Sequence, residues 1–305
     1  MDTKTINRTI FIKDNLEVLR SFPDSFIDLV YLDPPFNTGR DFGDFKDKWK
    51  SIKTDKTAPL IDIIGSINGE ADKNYLNFMN LRLLELHRVL KDTGSIYLHC
   101  DQTMSHSLKL VMDSVFGKRN FRNEIVWCYK SGGASKKHFS RKHDTLFFYV
   151  KGNKYLKNFN IERNEKSYLG KNYKTGNKNI KLYKDNKECC LGPHTLVYPK
   201  DWWIDISFLS VVARERVGYP TQKPLKLMER IIKASSNEGD LVLDPFCGSG
   251  TTCVASESLN RRWIGIDINP LSLNRLRGRL RLNIMINPPA MPFITKMAHA
   301  KHDGR

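Results

Sequence analysis

Apolar residues in the first half of the chain form short runs that alternate with helical patterns. The runs Ile27–Asp33 and Ser95–Cys100 predict buried strands, because apolar and β-branched residues dominate them. Between them, apolar residues recur at helical spacing from Tyr75 to Leu90, and Gly94 is predicted to stop this helix. A further helix is predicted through residues 108–115, followed by two more strands, Glu124–Tyr129 and Asp144–Val150.

The same alternation returns after residue 218. Leu225–Ser236 predicts an amphipathic helix, Asp240–Phe246 a strand, and Arg262–Ile268 the next strand, with a glycine-rich turn opening a helix between these strands. Strands that alternate with helices indicate a sheet covered on both faces. We therefore predict an α/β fold with a doubly wound, mostly parallel sheet.

The stretch from about residue 152 to residue 217 has neither period. Its lysines are interleaved with aromatic residues, namely Tyr155, Phe159, Tyr168, Tyr173 and Tyr183. The ordinary interpretation is a solvated basic insertion, and the functional one is a surface that neutralises phosphates and stacks on bases. The predicted organisation is a catalytic half (1–151), a target-recognition insertion (152–217), a cofactor-binding half (218–287) and a peripheral tail (288–305).

The charge of the chain changes this picture most. Its 305 residues carry 50 Lys and Arg against 33 Asp and Glu, a net charge of +17 with a pI near 9.6. This excess favours a polyanionic partner, although a basic protein without such a partner is also compatible with it. The N-terminal stretch has no secretory pattern, and no run is long enough to span a membrane, so we expect a cytoplasmic, DNA-associated protein. The six cysteines have no metal-binding spacing, and no metal site is predicted.

The first candidate for chemistry is the tetrapeptide Asp33-Pro34-Pro35-Phe36, at the end of a predicted strand. Neither proline supplies a backbone N–H, so the strand cannot continue, and both φ angles are fixed. A rigid turn with a capping Asp would also explain this sequence. The functional alternative is a carboxylate held in advance for a ligand.

The second candidate is "VLDPFCGSGTT", where a strand runs into a glycine-rich turn and a helix. Gly248 and Gly250 allow the backbone to approach a ligand closely. Asp244 precedes the glycines and suits a positive amino group, whereas Asp267 ends the next strand, where a ribose diol would bind. S-adenosyl-L-methionine, a nucleoside with an amino-acid tail, satisfies both acids. A structural turn remains the alternative.

The order of these motifs along the chain is itself informative about the family. "DPPF", the basic insertion, "YPTQKPLKLMERIIKASS" and "DPFCGSGTT" follow one another along nearly the whole chain. In this order the sequence resembles the permuted β group of DNA amino-methyltransferases, which modify adenine N6 or cytosine N4 and include the modification enzymes of restriction systems. The resemblance implies a Rossmann-like methyltransferase fold and double-stranded DNA as the substrate. It also implies a possible cognate restriction endonuclease and a possible homodimer.

The resemblance also assigns roles to residues of this chain. Asp33, Pro34, Pro35 and Phe36 match the catalytic tetrapeptide, and Asp14 matches, more loosely, a position beside the adenine ring of the cofactor. The remaining predicted cofactor-binding residues, together with Asp33, are Thr221, Gln222, Lys223, Asp244, Phe246, Cys247, Gly248, Gly250, Thr251, Thr252 and Asp267.

The chemistry of an exocyclic amine explains the tetrapeptide. The amine is a poor nucleophile because its lone pair is delocalised into the base. The Asp33 carboxylate and the Pro34 carbonyl could each accept one N–H, and Phe36 could stack on a base flipped out of the duplex. No metal is needed, because the sulfonium already activates the leaving group. The first Asp accompanies adenine-N6 enzymes more often than cytosine-N4 enzymes, so adenine is predicted and cytosine stays open.

Two other classes of function remain open. One is methylation of an amine on RNA or on a protein side chain, although protein-amide enzymes of similar chemistry typically carry Asn in place of the acid. The other is a non-catalytic DNA-binding protein, which would need neither the tetrapeptide nor the glycines.

Several further residues are weaker candidates. Lys136, Lys137, Arg141 and Lys142 are predicted near DNA phosphates, with a solvated loop as the alternative. His99 and Asp101 either line the pocket or serve as core and capping residues. The stretch after Phe36 is predicted to be a loop over the pocket, and "DWWIDI" (Asp201–Ile206) a hydrophobic seam beside the insertion.

Overall fold

A computed structural model of the chain describes residues 6–37, 41–42, 45–46, 59–129, 135–154, 165–166, 181–184, 187–190, 196–197, 200–210, 212–280 and 282–288. The helices are α1 (Asn15–Arg20), α2 (Pro59–Asn68), α3 (Glu70–Val89), α4 (Ser105–Phe116), α5 (Leu225–Ser235), α6 (Thr251–Ser258) and α7 (Leu271–Leu280), with a short 3-10 helix at Lys118–Asn120.

The strands of the main sheet and the shorter pairs follow in chain order. They are β1 (Thr9–Ile12), β2 (Ile27–Leu32), β3 (Asp41–Phe42), β4 (Phe45–Lys46), β5 (Leu90–Cys100), β6 (Phe121–Cys128), β7 (His143–Val150), β8 (Glu165–Lys166), β9 (Lys181–Lys184), β10 (Lys187–Cys190), β11 (Leu196–Val197), β12 (Trp202–Trp203), β13 (Leu241–Asp244), β14 (Arg262–Asp267) and β15 (Met285–Ile286).

The main sheet has nine strands in the order β12-β6-β7-β5-β2-β13-β14-β1-β15. Strand β7 runs antiparallel to its neighbours β5 and β6, and every other pairing in this sheet is parallel. The predicted α/β fold with a mostly parallel sheet is therefore confirmed. The middle of the sheet combines strands from both halves of the sequence, because β13 and β14 of the second half lie between β2 and β1 of the first half.

Both faces of the sheet are buried. In β2, Val30 and Leu32 pack into a core with helices α3 and α4, whereas Leu29 and Tyr31 pack into a second core with α5. This two-residue alternation explains why every position of β2 is buried and why the run is apolar with little interruption. Strand β2 ends at Leu32, and Asp33 follows at the edge of the sheet formed by the carboxyl ends of the parallel strands.

The structure differs from the prediction at the end of α3. The helix ends at Val89, and Leu90 is already extended and paired with Ile27 of β2, so Gly94 lies inside β5 and does not stop the helix. A Cβ at Gly94 would lie 2.7 Å from the Leu90 side chain, so close packing within the strand disfavours a larger residue. Sheet pairing, a non-local interaction, therefore overrides the local helix signal.

The predicted insertion is seen only in part. The lysine–aromatic stretch and the predicted loop after Phe36 lie largely outside the described residues. Strand β12, inside the "DWWIDI" stretch, pairs with β6, and Trp203 is buried in the second core. In the described part of the chain, no helix has the length and apolar character of a membrane span.

Candidate active site

Four neighbouring strands, β2, β13, β14 and β1, end at the same edge of the sheet, because they are parallel. Their carboxyl ends carry Asp33, Asp244, Asp267 and, two residues beyond β1, Asp14. All four acids line one cavity of about 490 Å³. Crevices at the carboxyl ends of parallel strands are the usual ligand sites of open α/β sheets.

Asp33 has two unlike carboxylate oxygens. Its Oδ2 pairs with Nζ of Lys223 at 2.5 Å, whereas its Oδ1 is buried and has no hydrogen-bond partner among the described residues. Nζ of Lys223 also lies 5.3 Å from the centroid of the Phe36 ring, and Pro34 and Pro35 line the same cavity. A buried acceptor without a partner is costly unless a ligand supplies a donor. The tetrapeptide therefore presents one free acceptor beside an aromatic ring.

Asp244 is almost fully buried at the end of β13. Thr252 donates its hydroxyl to Oδ2 at 2.6 Å, and the Phe246 N–H donates to Oδ1 at 3.0 Å. Burial raises the pKa of Asp244 to about 7, and the nearby Asp33 and Asp267 carboxylates add to the rise, although both hydrogen bonds oppose it. A cation bound in the cavity would favour the ionised form of this acid.

Asp267 organises the glycine turn. The backbone N–H of Gly248 donates to its Oδ2 at 2.7 Å, and that of Asn269 donates to its Oδ1 at 2.8 Å. Burial raises the pKa of Asp267 above its usual value despite these bonds. Gly248 has a positive φ of 49°, and an added Cβ would lie 3.0 Å from the ring of Tyr219, which also lines the cavity. The turn therefore accepts only glycine without rearrangement.

A buried arginine holds the Asp14 end of the cavity. Asp14 caps α1 through the N–H of Leu16 at 2.8 Å, and its second oxygen accepts from Arg82 at 2.7 Å. Arg82 also donates to the side-chain oxygen of Asn15 at 2.5 Å, and Asn15 donates to the Pro245 carbonyl at 2.7 Å. Burial lowers the pKa of Arg82 to about 10, although the Asp14 charge counteracts this effect. These contacts tie the start of α1, α3 and the glycine turn together.

The first three residues of the TQKP segment all line the cavity, but they make different contacts. Thr221 is exposed, and Lys223 pairs with Asp33. The Gln222 amide accepts from the Val217 N–H at 2.9 Å and donates to the Glu215 carbonyl at 2.7 Å. Gln222 thus shapes the segment from within.

The other predicted cofactor residues fall into two groups. Phe246, Cys247, Gly248, Thr251 and Thr252 line the cavity. Gly250 is not among its lining residues: it caps α6 with a φ of 74°, and an added Cβ would collide with Leu276 of α7. Its geometry therefore supports packing between helices rather than direct ligand contact.

Known proteins share this arrangement of sequence and fold. A family model described as DNA methylase, of the N6 and N4 type, matches residues 27–274. The chain belongs to this family. It is 30% identical over 278 residues to the type II methyltransferase M.HpaI of Haemophilus parainfluenzae, an alignment that covers 90% of this chain and 74% of that protein. It is 31% identical over 264 residues to the DNA adenine methyltransferase YhdJ of Escherichia coli K12, with coverage of 86% and 79%.

Solved structures share the fold of this DNA methylase. The cytosine-N4-specific PvuII DNA methyltransferase aligns with a TM-score of 0.59 at 18% identity, covering 92% of this chain and 88% of that one. A DNA modification methylase of Thermus thermophilus aligns with a TM-score of 0.55 at 17% identity, covering 93% and 99%. Family membership confirms the predicted DNA methyltransferase class, its restriction-modification type and its S-adenosylmethionine cofactor.

The basic residues predicted near DNA lie at the same sheet edge in the methylase. Lys136, Lys137 and Arg141 are exposed and Lys142 is half-buried, in a segment between β6 and β7 that we call the basic segment (residues 135–142). Strand β6 is parallel to β5, because both run antiparallel to β7, so the basic segment follows the carboxyl end of β6. Contact with DNA stays a prediction.

His99 and Asp101 differ in their roles. Asp101 accepts from the backbone N–H of Thr103 at 2.8 Å, which is a turn-capping role. His99 is completely buried behind the cavity: its ring centroid lies 6.0 Å from that of Phe36, and it is absent from the cavity lining.

The methylase site also contains residues that the sequence analysis did not identify, namely Arg82, Asn15, Tyr31 and Tyr219. Tyr219 and Asn15 stand next to residues that were identified, since Tyr219 directly precedes the Pro-Thr-Gln-Lys-Pro stretch and Asn15 directly follows Asp14. Arg82 and Tyr31 stand in ordinary helical and strand patterns, which do not mark them as cavity residues.

Proposed function

We propose that the chain transfers a methyl group from S-adenosylmethionine to N6 of an adenine flipped out of duplex DNA, with Asp33 as the catalytic carboxylate. The observation that carries this proposal is the buried Oδ1 of Asp33, an acceptor without a described partner, beside Phe36. The cavity that holds this acceptor also holds two further acids suited to a nucleoside with an amino-acid tail.

The cofactor would bind between the acids. Asp244 would pair with its ammonium group, Asp267 with its ribose hydroxyls, and Asp14 and Phe246 would lie beside its adenine ring. The raised pKa of Asp244 is compatible with this pairing, because a bound ammonium group would favour the ionised carboxylate. When bound, the cofactor supplies a methyl group already activated on a sulfonium.

Asp33 and the Pro34 carbonyl would orient the target amine. Lys223 occupies Oδ2, and Oδ1, which is buried without a described partner, would accept one N–H once the Asp33 side chain turns toward the base. The backbone that carries both acceptors is fixed before the substrate arrives, because the prolines restrict it. On receiving the methyl group the amine would lose a proton, and the Asp33 carboxylate is the acceptor that would take it.

Adenine is favoured over cytosine by two observations. The tetrapeptide begins with Asp, and the relative YhdJ is described as a DNA adenine methyltransferase at 31% identity. Cytosine N4 is the second candidate, because its amine needs the same two acceptors. A non-catalytic DNA-binding role would leave the buried acceptor and the acid set without a purpose.

The test is to incubate the purified protein with methyl-labelled S-adenosylmethionine and duplex DNA, and to digest the DNA to nucleosides. Label in N6-methyl-2′-deoxyadenosine supports the proposal, label in N4-methyl-2′-deoxycytidine supports the second candidate, and unlabelled DNA contradicts both. Single-stranded DNA and RNA of the same sequence serve as controls for the substrate class.

Two partners predicted from the resemblance stay proposals. Light scattering on a size-exclusion column at several concentrations tests the homodimer, and a monomer throughout would contradict it. A cognate endonuclease would cut DNA at the site that this chain methylates and would leave the methylated DNA intact, so cleavage of the two DNAs is compared.

A further inference from the structure

A buried chain of polar side chains lies behind the catalytic tetrapeptide. The hydroxyl of Tyr31 lies 2.9 Å from Nδ1 of His99, and Nε2 of His99 lies 3.1 Å from Oδ2 of Asp144. The other oxygen of Asp144 accepts from the Tyr129 hydroxyl at 2.9 Å. Four side chains from four strands or strand ends are thus joined into one hydrogen-bonded series.

The hydrogen bonds fix the orientation of the His99 ring. The Asp144 carboxylate can only accept, so Nε2 carries the proton, and in the neutral ring Nδ1 then accepts from Tyr31. The His99 side chain is 0% exposed, and its ring packs edge-on to Trp127 with the centroids 5.8 Å apart. A histidine this well held has one orientation available, and that orientation sets its contact with Phe36.

One end of the series reaches the target-base side of the cavity. Tyr31 lines the cavity and lies on β2 two residues before Asp33. The rings of Phe36 and His99 lie at 31° to one another, with centroids 6.0 Å apart. His99 therefore contacts both the wall of the cavity and the ring proposed to stack on the base.

The other end of the series joins the strand ends on either side of the basic segment. Tyr129 precedes this part of the chain and Asp144 follows it, and their side chains are hydrogen-bonded to each other. The Tyr129 N–H also donates to the Lys142 carbonyl at 2.9 Å, so the chain is closed where it leaves and rejoins the sheet. Movement of Asp144 would thus disturb both the basic segment and His99.

We propose that His99 and Asp144 are positioning residues that hold Phe36 and Tyr31 in a fixed relation to the basic segment, so that the flipped base and the DNA backbone are bound in one geometry. This inference rests on the proposed function. Neither residue contacts the reacting atoms, and Asp144 lies outside the cavity lining. Their effect therefore falls on capture of the target base and not on cofactor binding.

The decisive variant is Asp144→Asn, with Asp113→Asn as the matched control. Asp113 accepts from the Tyr149 hydroxyl at 2.7 Å, just as Asp144 accepts from Tyr129, but it lies on α4 and makes no contact with His99 that the structure describes. Tyr31→Phe and its control Tyr97→Phe form a second pair, because both tyrosines are 2% exposed and Tyr97 is bonded to Ser235 instead. His99→Leu and His99→Gln complete the set, since Gln keeps an N–H donor.

Activity is assayed on duplex DNA containing the site methylated by the wild type. Base flipping is measured separately on the same duplex with 2-aminopurine in place of the target base, because 2-aminopurine reports flipping by fluorescence but lacks the amine that receives the methyl group. We expect Asp144→Asn and His99→Leu to lower kcat/KM by about 10- to 100-fold, because small misplacements cost this much. In both variants the 2-aminopurine fluorescence should fall together with kcat/KM, whereas cofactor affinity should stay within about twofold of the wild type. A substrate whose target base is unpaired should partly restore activity, because less energy is needed to flip that base. His99→Gln retains more activity than His99→Leu, and both controls behave as the wild type.

Three outcomes would overturn the inference. One is an unchanged kcat/KM and 2-aminopurine signal in Asp144→Asn and Tyr31→Phe. A second is a parallel loss of cofactor binding, thermal stability and activity, which would indicate a purely structural role. A third is an equal loss in the Asp113→Asn control. If His99→Leu does not fold, the Asp144 and Tyr31 pairs still decide. Absence of methyl transfer by the wild type would instead refute the proposed function, and is measured first.

Discussion

If Asp244 binds the cofactor ammonium as proposed, its raised pKa should make cofactor affinity depend on pH. In the free site burial raises this pKa to about 7, so a large fraction of the protein carries a neutral carboxyl near neutral pH. The cofactor ammonium would bind the ionised form, because only that form gives an ion pair. We therefore expect the affinity to follow the ionised fraction of Asp244.

The size of the effect follows from the pKa. One pH unit below the pKa only about a tenth of the sites are ionised, so the affinity falls about tenfold from about pH 8 to about pH 6, or about 1.4 kcal/mol.

The folding stability of the free protein depends on pH in the opposite direction from the cofactor affinity. The folded carboxyl binds a proton between about pH 4 and about pH 7 and the unfolded one does not, so the stability of the free protein falls as pH rises through this window. The fall is at most about 4 kcal/mol, and a bound cation offsets it.

The assay is calorimetric titration with the demethylated product S-adenosylhomocysteine, which retains the ammonium group and cannot react. The wild type should lose affinity on acidification, whereas Asp244→Asn should bind more weakly at about pH 8 and show a nearly flat pH profile. Asp62→Asn, the same change at an exposed ion pair on α2, is the control and should retain the wild-type profile. A flat wild-type profile, or a profile that survives in Asp244→Asn, would refute the reasoning.

Three further experiments test the contacts around the cavity. Gly250→Ala should lower the free energy of unfolding in urea by about 1–3 kcal/mol, because Gly250 has a positive φ and lies against Leu276 of α7. The control Gly278→Ala, in open space on α7, should raise this free energy by about 0.5–1 kcal/mol. Equal effects of the two substitutions would contradict this reasoning. Arg82→Met should lower the free energy of unfolding by about 2–4 kcal/mol, because the buried side-chain oxygen of Asn15 loses its donor and Asp14 loses its ion pair; an unfolding midpoint equal to that of the wild type would count against this role. A double-mutant cycle of Lys223→Met and Asp33→Asn should give a coupling of about 1–3 kcal/mol, and a coupling of zero would mean that the ion pair adds no stability.

The local sequence predicted the centre of the fold well. The apolar runs at β2, β13 and β14 are buried on both faces, and burial on both faces leaves a nearly continuous apolar signal. Each run ends in an acid or just before one, so parallel pairing brings Asp33, Asp244 and Asp267 to one edge. The cavity was predictable because strand direction alone decides where these carboxylates meet.

The supporting residues could not be predicted in the same way. Arg82 lies within a helical pattern, and nothing local distinguishes it from a solvent-exposed arginine until α3 packs against α1 and Asp14. Asp144 reads as the first residue of a strand, and its bond to His99 depends on β7 lying antiparallel beside β5. Gly94 failed as a helix stop because strand pairing, a contact distant in sequence, began at Leu90. These roles arise from tertiary contacts that residue spacing does not encode.

The most direct test of the account is a single-turnover reaction of the wild type and Asp33→Ala with methyl-labelled S-adenosylmethionine and duplex DNA, read by mass spectrometry of the nucleosides. Cofactor affinity is measured on both proteins in parallel. We predict N6-methyl-2′-deoxyadenosine from the wild type and no methylated nucleoside from Asp33→Ala, with both proteins binding cofactor. Normal turnover by Asp33→Ala, or no methylated base from a wild type that binds cofactor and DNA, would contradict it.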